Sequence, residues 1–473
     1  MRAMFWIAAV AAAALSAAAP AAARDDGTLV AQAPPQSREQ IQFSYAPLVK
    51  RASPAVVNVY ARTKVRERQS FLDDPQFRRY FGDEYMRRLP RERVQNALGS
   101  GVLVRANGLI VTNAHVVRGA DEIQVVLSDK REFAARVVTA DDRYDLAVLQ
   151  VEAAGEKLPF LELRDSDTIE VGDLVLAIGN PFGLQQTVTG GIVSAVARSG
   201  GSVTESGFFL QTDAAINPGN SGGALLSMDG RLIGINTAIY SQTGGSIGIG
   251  FATPSNIVAR IVEVAEKGGR LVRPWIGVGV QRVTADLASS LGMVRPQGLM
   301  IRVVAPDGPA AKAGVKVGDV LVSLNGQPVD DEAALRFRLA TLPLDSTVDA
   351  RVITRGREAT FPIRVMAPPE SPPRDRTQLA GRHPLSGVVV VNMSPAVADE
   401  LGLDQATGGV VVLEVGAGAF AAQFLQRGDY VVDVNGRPVA SVSALRSAVG
   451  TPAERWSVTV RRDGQTRTFN FRG

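Results

Sequence analysis

The chain contains no cysteine, and only two of its 473 residues, His115 and His383, are histidines. Without thiols it can form no disulfide, thiolate zinc site or iron–sulfur cluster, and it has no cysteine nucleophile. Two imidazoles are too few for a multi-histidine metal centre, so we expect neither a metal ion nor an organic cofactor. Any imidazole chemistry has to use one of these two residues.

The sequence also lacks a large excess of charge of either sign. Lys and Arg number 51 against 47 Asp and Glu, which gives a formal net charge of +4. The basic residues are scattered rather than clustered, so the sequence does not predict a nucleic-acid partner. Beyond the N-terminus no run reaches 18 apolar residues, so we expect no stable membrane span.

The N-terminus has the pattern of a secretory signal peptide. Residues 4–19 form an apolar run after Arg2, and the small residues Ala21-Ala22-Ala23 follow it. A short apolar run before an A-x-A site is typical of a cleaved signal. We therefore predict that residues 1–23 are removed on export to the periplasm of a Gram-negative bacterium; an uncleaved anchor is the alternative. The polar residues 24–45 are expected to be a flexible N-terminal segment.

Short β-type runs dominate from Ala55 onward, separated by Gly, Asn and Asp. These runs are Val56–Tyr60, Gly101–Val104, Leu109–Thr112, Ile123–Leu127, Leu146–Leu149, Leu174–Ile178, Gly191–Val196 and Leu232–Ile235. Such a pattern predicts an all-β barrel or sandwich over residues 46–270, interrupted by a charged insertion at 62–98. A helix over Ser255–Lys267 should close this domain before Gly268-Gly269.

The remainder is an internal repeat at an offset of 110 residues. Ile276-Gly277-Val278 aligns with Ser386-Gly387-Val388, and Asn325-Gly326-Gln327-Pro328-Val329 aligns with Asn435-Gly436-Arg437-Pro438-Val439. Two copies are too few for a solenoid, so we predict tandem modules over 271–367 and 384–473. Residues 368–383 between them are rich in proline and should form a semi-rigid linker.

The sharpest local motif is Asn217-Pro218-Gly219-Asn220-Ser221-Gly222-Gly223. Glycines around a serine allow a tight turn that presents a hydroxyl and directs N–H groups to one point. Ser221 is therefore the candidate nucleophile. The N–H groups of Gly219 and Ser221 are candidate oxyanion donors, and Asn220 shapes the turn between them.

A serine hydroxyl needs a base, and the base needs an acid that orients it. His115 follows an apolar strand, and Asp145 directly precedes another. The order His115, Asp145, Ser221 is that of chymotrypsin-type triads. Asp141, Asp142 and Asp213 remain alternatives for the acid.

These motifs resemble the HtrA/DegP (Do) family of exported serine proteases. The segments that carry the resemblance are Asn113–Val117, Asp145–Leu149 and Gln211–Gly223. The resemblance implies a mainly β chain, with a chymotrypsin-like double β-barrel protease domain followed by two PDZ domains. It also implies the triad His115, Asp145 and Ser221, a specificity loop at Thr237, Ala238, Ile239, Tyr240 and Ser241, and a regulatory loop at 62–98.

The same resemblance implies an ATP-independent endopeptidase that degrades misfolded or damaged exported proteins, has possible chaperone activity and assembles as trimers or their multiples. The first PDZ domain should capture polypeptide C-termini with Ile276, Gly277 and Val278. The second copy departs from that pattern, with Leu385-Ser386-Gly387-Val388 and with Phe424 at the equivalent of Gly314. The alternative function is a PDZ-containing chaperone or scaffold with little or no proteolysis.

Overall fold

The computed structural model describes residues 44–65, 93–180, 186–199, 208–217, 219–239, 248–268, 272–403, 408–416, 418–462 and 464–472. The predicted signal peptide, residues 24–43 of the N-terminal segment, residues 66–92 of the insertion and the loop residues Tyr240 and Ser241 lie outside this part of the chain.

The first six strands close into a barrel in the order β1-β2-β3-β6-β5-β4. The strands are β1 (Val56–Val65), β2 (Arg93–Leu103), β3 (Leu109–Thr112), β4 (Glu122–Val126), β5 (Glu132–Asp141) and β6 (Leu146–Val151). Two short helices accompany them, α1 (Ala46–Ala52) and α2 (Ala114–Val117). The barrel is filled by β-branched and leucine side chains, such as Val59, Ile110 and Leu149, which are completely buried.

The next six strands close a second barrel, in the order β10-β11-β12-β9-β8-β7. They are β7 (Leu174–Gly179), β8 (Thr187–Ser199), β9 (Phe208–Thr212), β10 (Ala224–Ser227), β11 (Leu232–Ile239) and β12 (Gly250–Pro254). Helix α3 (Ser255–Glu266) follows and buries Ile257, Val258 and Ile261 in a cluster that contains residues of both barrels. The helix therefore ties the two barrels together.

Two further sheets follow. The first contains β13 (Val278–Arg282), β14 (Leu299–Val304), β15 (Val320–Leu324), β16 (Gln327–Pro328), β17 (Thr347–Thr354) and β18 (Arg357–Arg364), with helices α4 (Ala285–Ser290), α5 (Pro309–Ala313) and α6 (Glu332–Ala340). The second contains β19 (Thr377–Gln378), β20 (Val388–Asn392), β21 (Val410–Val415), β22 (Tyr430–Val434), β23 (Arg437–Pro438), β24 (Arg455–Arg462) and β25 (Gln465–Arg472), with helices α7 (Pro395–Leu401) and α8 (Val442–Val449). Each predicted repeat copy thus has its own sheet and helices.

Helix α6 of the first repeat module packs against the second barrel. The rings of Phe337 and Phe208 stack with their centroids 3.7 Å apart, and Phe208 is the first residue of β9. The Arg338 guanidinium lies over both rings and forms an ion pair with Asp167 at 2.5 Å. A helix of the repeat module is therefore part of the core around the barrels.

The prediction of a mainly β chain with a double-barrel domain and two later modules is confirmed. The ends of the predicted insertion are not loops: Arg62 pairs with Asn96 and Val65 with Arg93, so β1 and β2 continue as a hairpin into residues 62–65 and 93–98. Across the described residues, no helix has the length and apolar character needed to span a bilayer.

We expect Leu225→Ala in the second barrel to lower the free energy of unfolding by about 2–5 kcal/mol, because the smaller side chain leaves a cavity. Leu225 is completely buried, whereas Leu174 in the same barrel is 43% exposed. Leu174→Ala is thus a matched control and should change stability by less than about 0.5 kcal/mol. Urea denaturation followed by circular dichroism measures both; equal effects would contradict the described packing.

Candidate functional site

Asp145 lies in the tight turn between β5 and β6. Its φ is +51°, a left-handed conformation that aspartate tolerates better than most side chains. The carbonyl oxygen of Asp145 accepts hydrogen bonds from Asn113 Nδ2 at 2.8 Å and from the N–H of Ala114 at 3.2 Å. The turn is thereby fixed to the start of helix α2.

His115 lies in that helix and contacts the Asp145 carboxylate twice. The ring Nδ1 is 2.6 Å from Asp145 Oδ2, and the backbone N–H of His115 donates to Oδ1 at 2.9 Å. Because an ionised carboxylate only accepts hydrogen bonds, the contact places the imidazole proton on Nδ1 and leaves Nε2 as an acceptor. The Asp145 side chain is 10% exposed and that of His115 is 43% exposed, so the ring has access to solvent and to a substrate.

The three other aspartates considered from the sequence contact other groups. Asp141 accepts hydrogen bonds from the N–H groups of Arg143 and Tyr144, Asp142 pairs with Arg118, and Asp213 accepts from the N–H of Ile192. Of the four candidates, the structure brings Asp145 to the imidazole.

The loop that carries Ser221 is bound to strand β2 through Ser100. The Ser100 hydroxyl donates to the Gly219 carbonyl at 2.7 Å and accepts from the N–H of Asn180 at 2.9 Å. The Ser100 N–H donates to the Ser221 carbonyl at 2.8 Å. Ser100 is fully buried, so these bonds are shielded from water. Ser100 therefore holds the loop on both sides of Asn220.

Fixing these carbonyls determines where the neighbouring amides point. The Asn220 N–H donates to the Asn217 carbonyl at 3.0 Å, and the Gly222 N–H donates to the Asn236 carbonyl at 2.8 Å. Within the described part of the chain, the N–H groups of Gly219 and Ser221 donate to no acceptor. Gly219 has a φ of +98°, which a residue with a Cβ would rarely adopt. Two predicted oxyanion donors are thus available to a ligand.

The Ser221 hydroxyl donates to the Thr237 carbonyl at 3.3 Å, and no hydrogen bond among the described residues joins it to His115. The loop and helix α2 nevertheless converge on Gly99. A methyl group placed there would lie 2.7 Å from Val116 Cγ2 and 3.2 Å from the Ser221 carbonyl oxygen. The residue after His115 and the backbone of Ser221 therefore meet at one point.

Thr237, the first residue of the predicted specificity loop, joins the two barrels. Its hydroxyl lies 3.1 Å from Asn113 Nδ2 and 3.0 Å from Thr253 Oγ1. Its carbonyl receives the Ser221 hydroxyl. Ala238 and Ile239 continue the backbone of β11. Thr237 is thus within hydrogen-bonding distance of both Ser221 and Asn113, the residue that anchors the Asp145 turn.

The predicted peptide-capturing loop of the first repeat module precedes β13. Gly277 has a φ of +81°, and the side chains of Ile276 and Val278 are buried. The N–H groups of Ile276 and Gly277 donate to no acceptor in the described residues. A cavity of about 480 Å³ lies beside this loop, lined also by Leu335 and Leu339 of α6.

An ion cluster connects this cavity to the Asp145 turn. Arg273 pairs with Asp141 at 2.8 Å and with Asp399 of α7 at 3.3 Å, and Arg143 pairs with Asp399 at 3.4 Å. Burial opposes the charged form of Arg273, but the carboxylates of Asp141 and Asp399 outweigh it and raise the pKa of the guanidinium. Burial also raises the pKa of Tyr144 to about 12. Both repeat modules therefore contact the segment that ends at Asp145.

Ser100 and the anchoring role of Asn113 were missed by sequence reasoning. Ser100 stands between Gly99 and Gly101, and a glycine on each side of a strand residue is a signal of close backbone approach. A methyl group at Gly101 would lie 2.8 Å from Ile110 Cγ2. The two glycines thus indicated a close backbone contact with strand β2, but they did not identify the segment that makes it.

Comparisons with known proteins agree with this geometry. Residues 99–235 match a trypsin-like peptidase domain, and residues 300–349 and 383–472 each match a PDZ domain. A periplasmic serine endoprotease described as DegP-like, from Marinomonas sp. (strain MWYL1), is 38% identical over 84% of this chain and 86% of its own length.

The periplasmic serine endoprotease DegP of Salmonella typhimurium (strain LT2) is 37% identical over 89% of this chain and 90% of its own. Among solved structures, the HtrA-type protease AlgW with a decapeptide is 42% identical with a TM-score of 0.51, covering 69% of this chain and 99% of that one. With its barrels, its serine loop and its two PDZ domains, the chain belongs to the DegP-like, HtrA-type family of serine endoproteases.

Proposed function

We propose that this chain hydrolyses peptide bonds of unfolded exported proteins, with Ser221 as nucleophile, His115 as base and then acid, and Asp145 as the group that orients His115. The observation that carries the proposal is the 2.6 Å contact between His115 Nδ1 and Asp145 Oδ2. It is supported by the serine loop, in which the N–H groups of Gly219 and Ser221 have no acceptor among the described residues. The relatives are endoproteases, which does not favour the alternative of a chaperone without proteolysis.

The reaction begins when the Ser221 hydroxyl leaves the Thr237 carbonyl by rotation about χ1 and turns to His115 Nε2. His115 takes the hydroxyl proton as Ser221 Oγ bonds to the substrate carbonyl carbon. The N–H groups of Gly219 and Ser221 bind the negative oxygen of the tetrahedral intermediate. His115 then donates the proton to the leaving amine, and water completes hydrolysis by the same steps.

The setting of this activity follows from the family and the N-terminal sequence. The relatives are named as periplasmic, and residues 1–23 have the features of a cleaved signal. Trimers, or multiples of them, are the assembly that the family resemblance implies. N-terminal sequencing of the mature protein and light scattering in solution test these two points; a retained Met1 or a stable monomer would contradict them.

Substitutions test the proposed triad. We expect Ser221→Ala to lower the turnover of unfolded casein by about 10⁶-fold, and Asp145→Asn by about 10⁴-fold because the imidazole then favours the wrong tautomer. Asp142→Asn is the matched control, since Asp142 is exposed and pairs with Arg118. Initial cleavage rates measure all three. If wild type cleaves no faster than Ser221→Ala at any temperature, the proposed function is wrong.

Ser100 is a positioning residue in this scheme. We expect Ser100→Ala to lower kcat by about 10- to 10²-fold with little change in KM, because a small shift of the loop misplaces the nucleophile and the oxyanion donors. Ser227→Ala is the control: Ser227 is also a buried serine of the double-barrel domain, but its hydroxyl bonds to Asp229 and Arg231. Equal kinetics in the two variants would contradict the role of Ser100.

The first PDZ domain should bind C-terminal peptides in the cavity beside Ile276, Gly277 and Val278. We expect Leu339→Asp to weaken the binding of a peptide with a free carboxylate by at least about tenfold, because the new carboxylate replaces an apolar lining side chain and repels the negative charge of the peptide. Val317→Asp places the same charge on a 64% exposed residue away from the cavity. Fluorescence anisotropy with the Ser221→Ala protein measures both, and similar losses would place the peptide elsewhere.

A further inference from the structure

The internal repeat shows which elements of the second PDZ domain correspond to the groove of the first. At the offset of 110 residues, β13 corresponds to β20, α6 to α8, and Ile276-Gly277 to Ser386-Gly387. In the first domain β13 is the end strand of its sheet, and its groove is open as the cavity described above. In the second domain β20 is not at the edge, because β19 lies outside it.

Strand β19 belongs to the segment predicted as the linker. Thr377 pairs with Val390 and Gln378 with Val389, antiparallel to β20. The Leu379 N–H donates to the Val388 carbonyl at 2.8 Å, and the Gly387 N–H donates to the Leu379 carbonyl at 2.8 Å. The direction is that of a peptide added to the sheet edge with its last residue at the Gly387 loop.

The Leu379 side chain is buried as an anchoring residue would be. It is 3% exposed and belongs to the same apolar cluster as Val442 and Leu445 of α8, the helix that forms the far wall of the groove. In the first domain the equivalent wall residue, Leu335, lines an open cavity. Leu379 therefore fills the space that stays empty in the first repeat.

The loop amides differ in the same way. The N–H groups of Ile276 and Gly277 are unbonded in the described chain, whereas those of their equivalents Ser386 and Gly387 donate to the His383 and Leu379 carbonyls. The repeat offset places Lys267-Gly268-Gly269 opposite Thr377-Gln378-Leu379. Gly269 has no side chain, so the sequence of the first repeat offers no apolar anchor at the position of Leu379.

We propose that Thr377-Gln378-Leu379 is a built-in ligand of the second PDZ groove, which competes with C-terminal peptides that end in an aliphatic residue. Only seven residues separate Leu379 from Gly387, so the internal segment acts at a high effective concentration, on the order of millimolar. A free peptide offers a terminal carboxylate instead of an amide carbonyl, and its charge strengthens the hydrogen bonds to the loop amides. Peptide binding thus releases the linker, and the linker limits peptide binding.

The test uses full-length protein with Ser221→Ala and Leu339→Asp, which removes cleavage and weakens the first PDZ site. The probe is a fluorescein-labelled octapeptide ending in Thr-Gln-Leu with a free carboxylate, and its amidated form is the ligand control. In this background we expect Leu379→Gly, which copies Gly269 of the first repeat, to tighten binding of the probe at least tenfold. Ala380→Gly changes the adjacent exposed residue and should leave binding unchanged. Equal affinity in all three proteins would overturn the proposal.

Near-ultraviolet circular dichroism, to which the buried Trp456 contributes, shows whether Leu379→Gly unfolds the module. If it does, a second variant keeps the test valid. Gln378 and Val389 are directly opposed, and the chain has no other thiol, so Gln378→Cys with Val389→Cys gives a single disulfide that holds the linker in the groove. We expect the reduced protein to bind the probe and the oxidised protein to lose that binding. The same binding in both redox forms contradicts the proposal, whether or not the chain is an active protease.

Discussion

The carboxylate of Asp145 receives two hydrogen bonds from His115, one from the ring and one from the backbone. The first sets the tautomer, and the second fixes the helix on which the ring stands. Both hydrogen bonds require the left-handed backbone at Asp145. They also require the hydrogen bond that the Asn113 side-chain amide donates to the Asp145 carbonyl. Without this turn the imidazole would have no fixed orientation, and the proposed base of Ser221 would be lost.

The serine loop depends on a different constraint, which is close packing. Gly222 has no room for a side chain, because a methyl group there would lie 2.0 Å from the Ser100 carbonyl oxygen. The glycines that flank Ser100 and Ser221 allow two backbones to approach closely enough for Ser100 to bond with both Gly219 and Ser221. The position of Ser221, the proposed nucleophile, therefore depends on strand β2 as much as on its own loop.

Much of this was accessible from the sequence, and the reasons differ between regions. The strands could be predicted because each is a short run of Val, Ile and Leu that is visible in a few consecutive residues. His115, Asp145 and Ser221 could be proposed because each lies next to such a run or in a glycine-rich turn. Asp145 was placed in the triad with Asp141 as an alternative. Spacing along the chain does not separate the two, because Asp141 ends β5 and Asp145 directly precedes β6, and the family resemblance favoured Asp145. The hydroxyl contacts of Ser100 join residues that are 80 and 119 positions apart in the sequence. The linker strand was hidden because proline-rich composition indicates an extended chain but not what it pairs with.

Helix α6 has two neighbours at once. Leu339 lines the cavity beside the Ile276–Val278 loop, and Phe337 stacks on Phe208 at the start of β9. Ala334, Phe337 and Ala340 belong to the same apolar cluster as the barrels. A protease domain truncated after α3 would therefore expose the Phe208 ring to water and lose part of its own core. Such a fragment should aggregate more readily than the full chain, and an insertion or domain exchange that keeps α6 would avoid this.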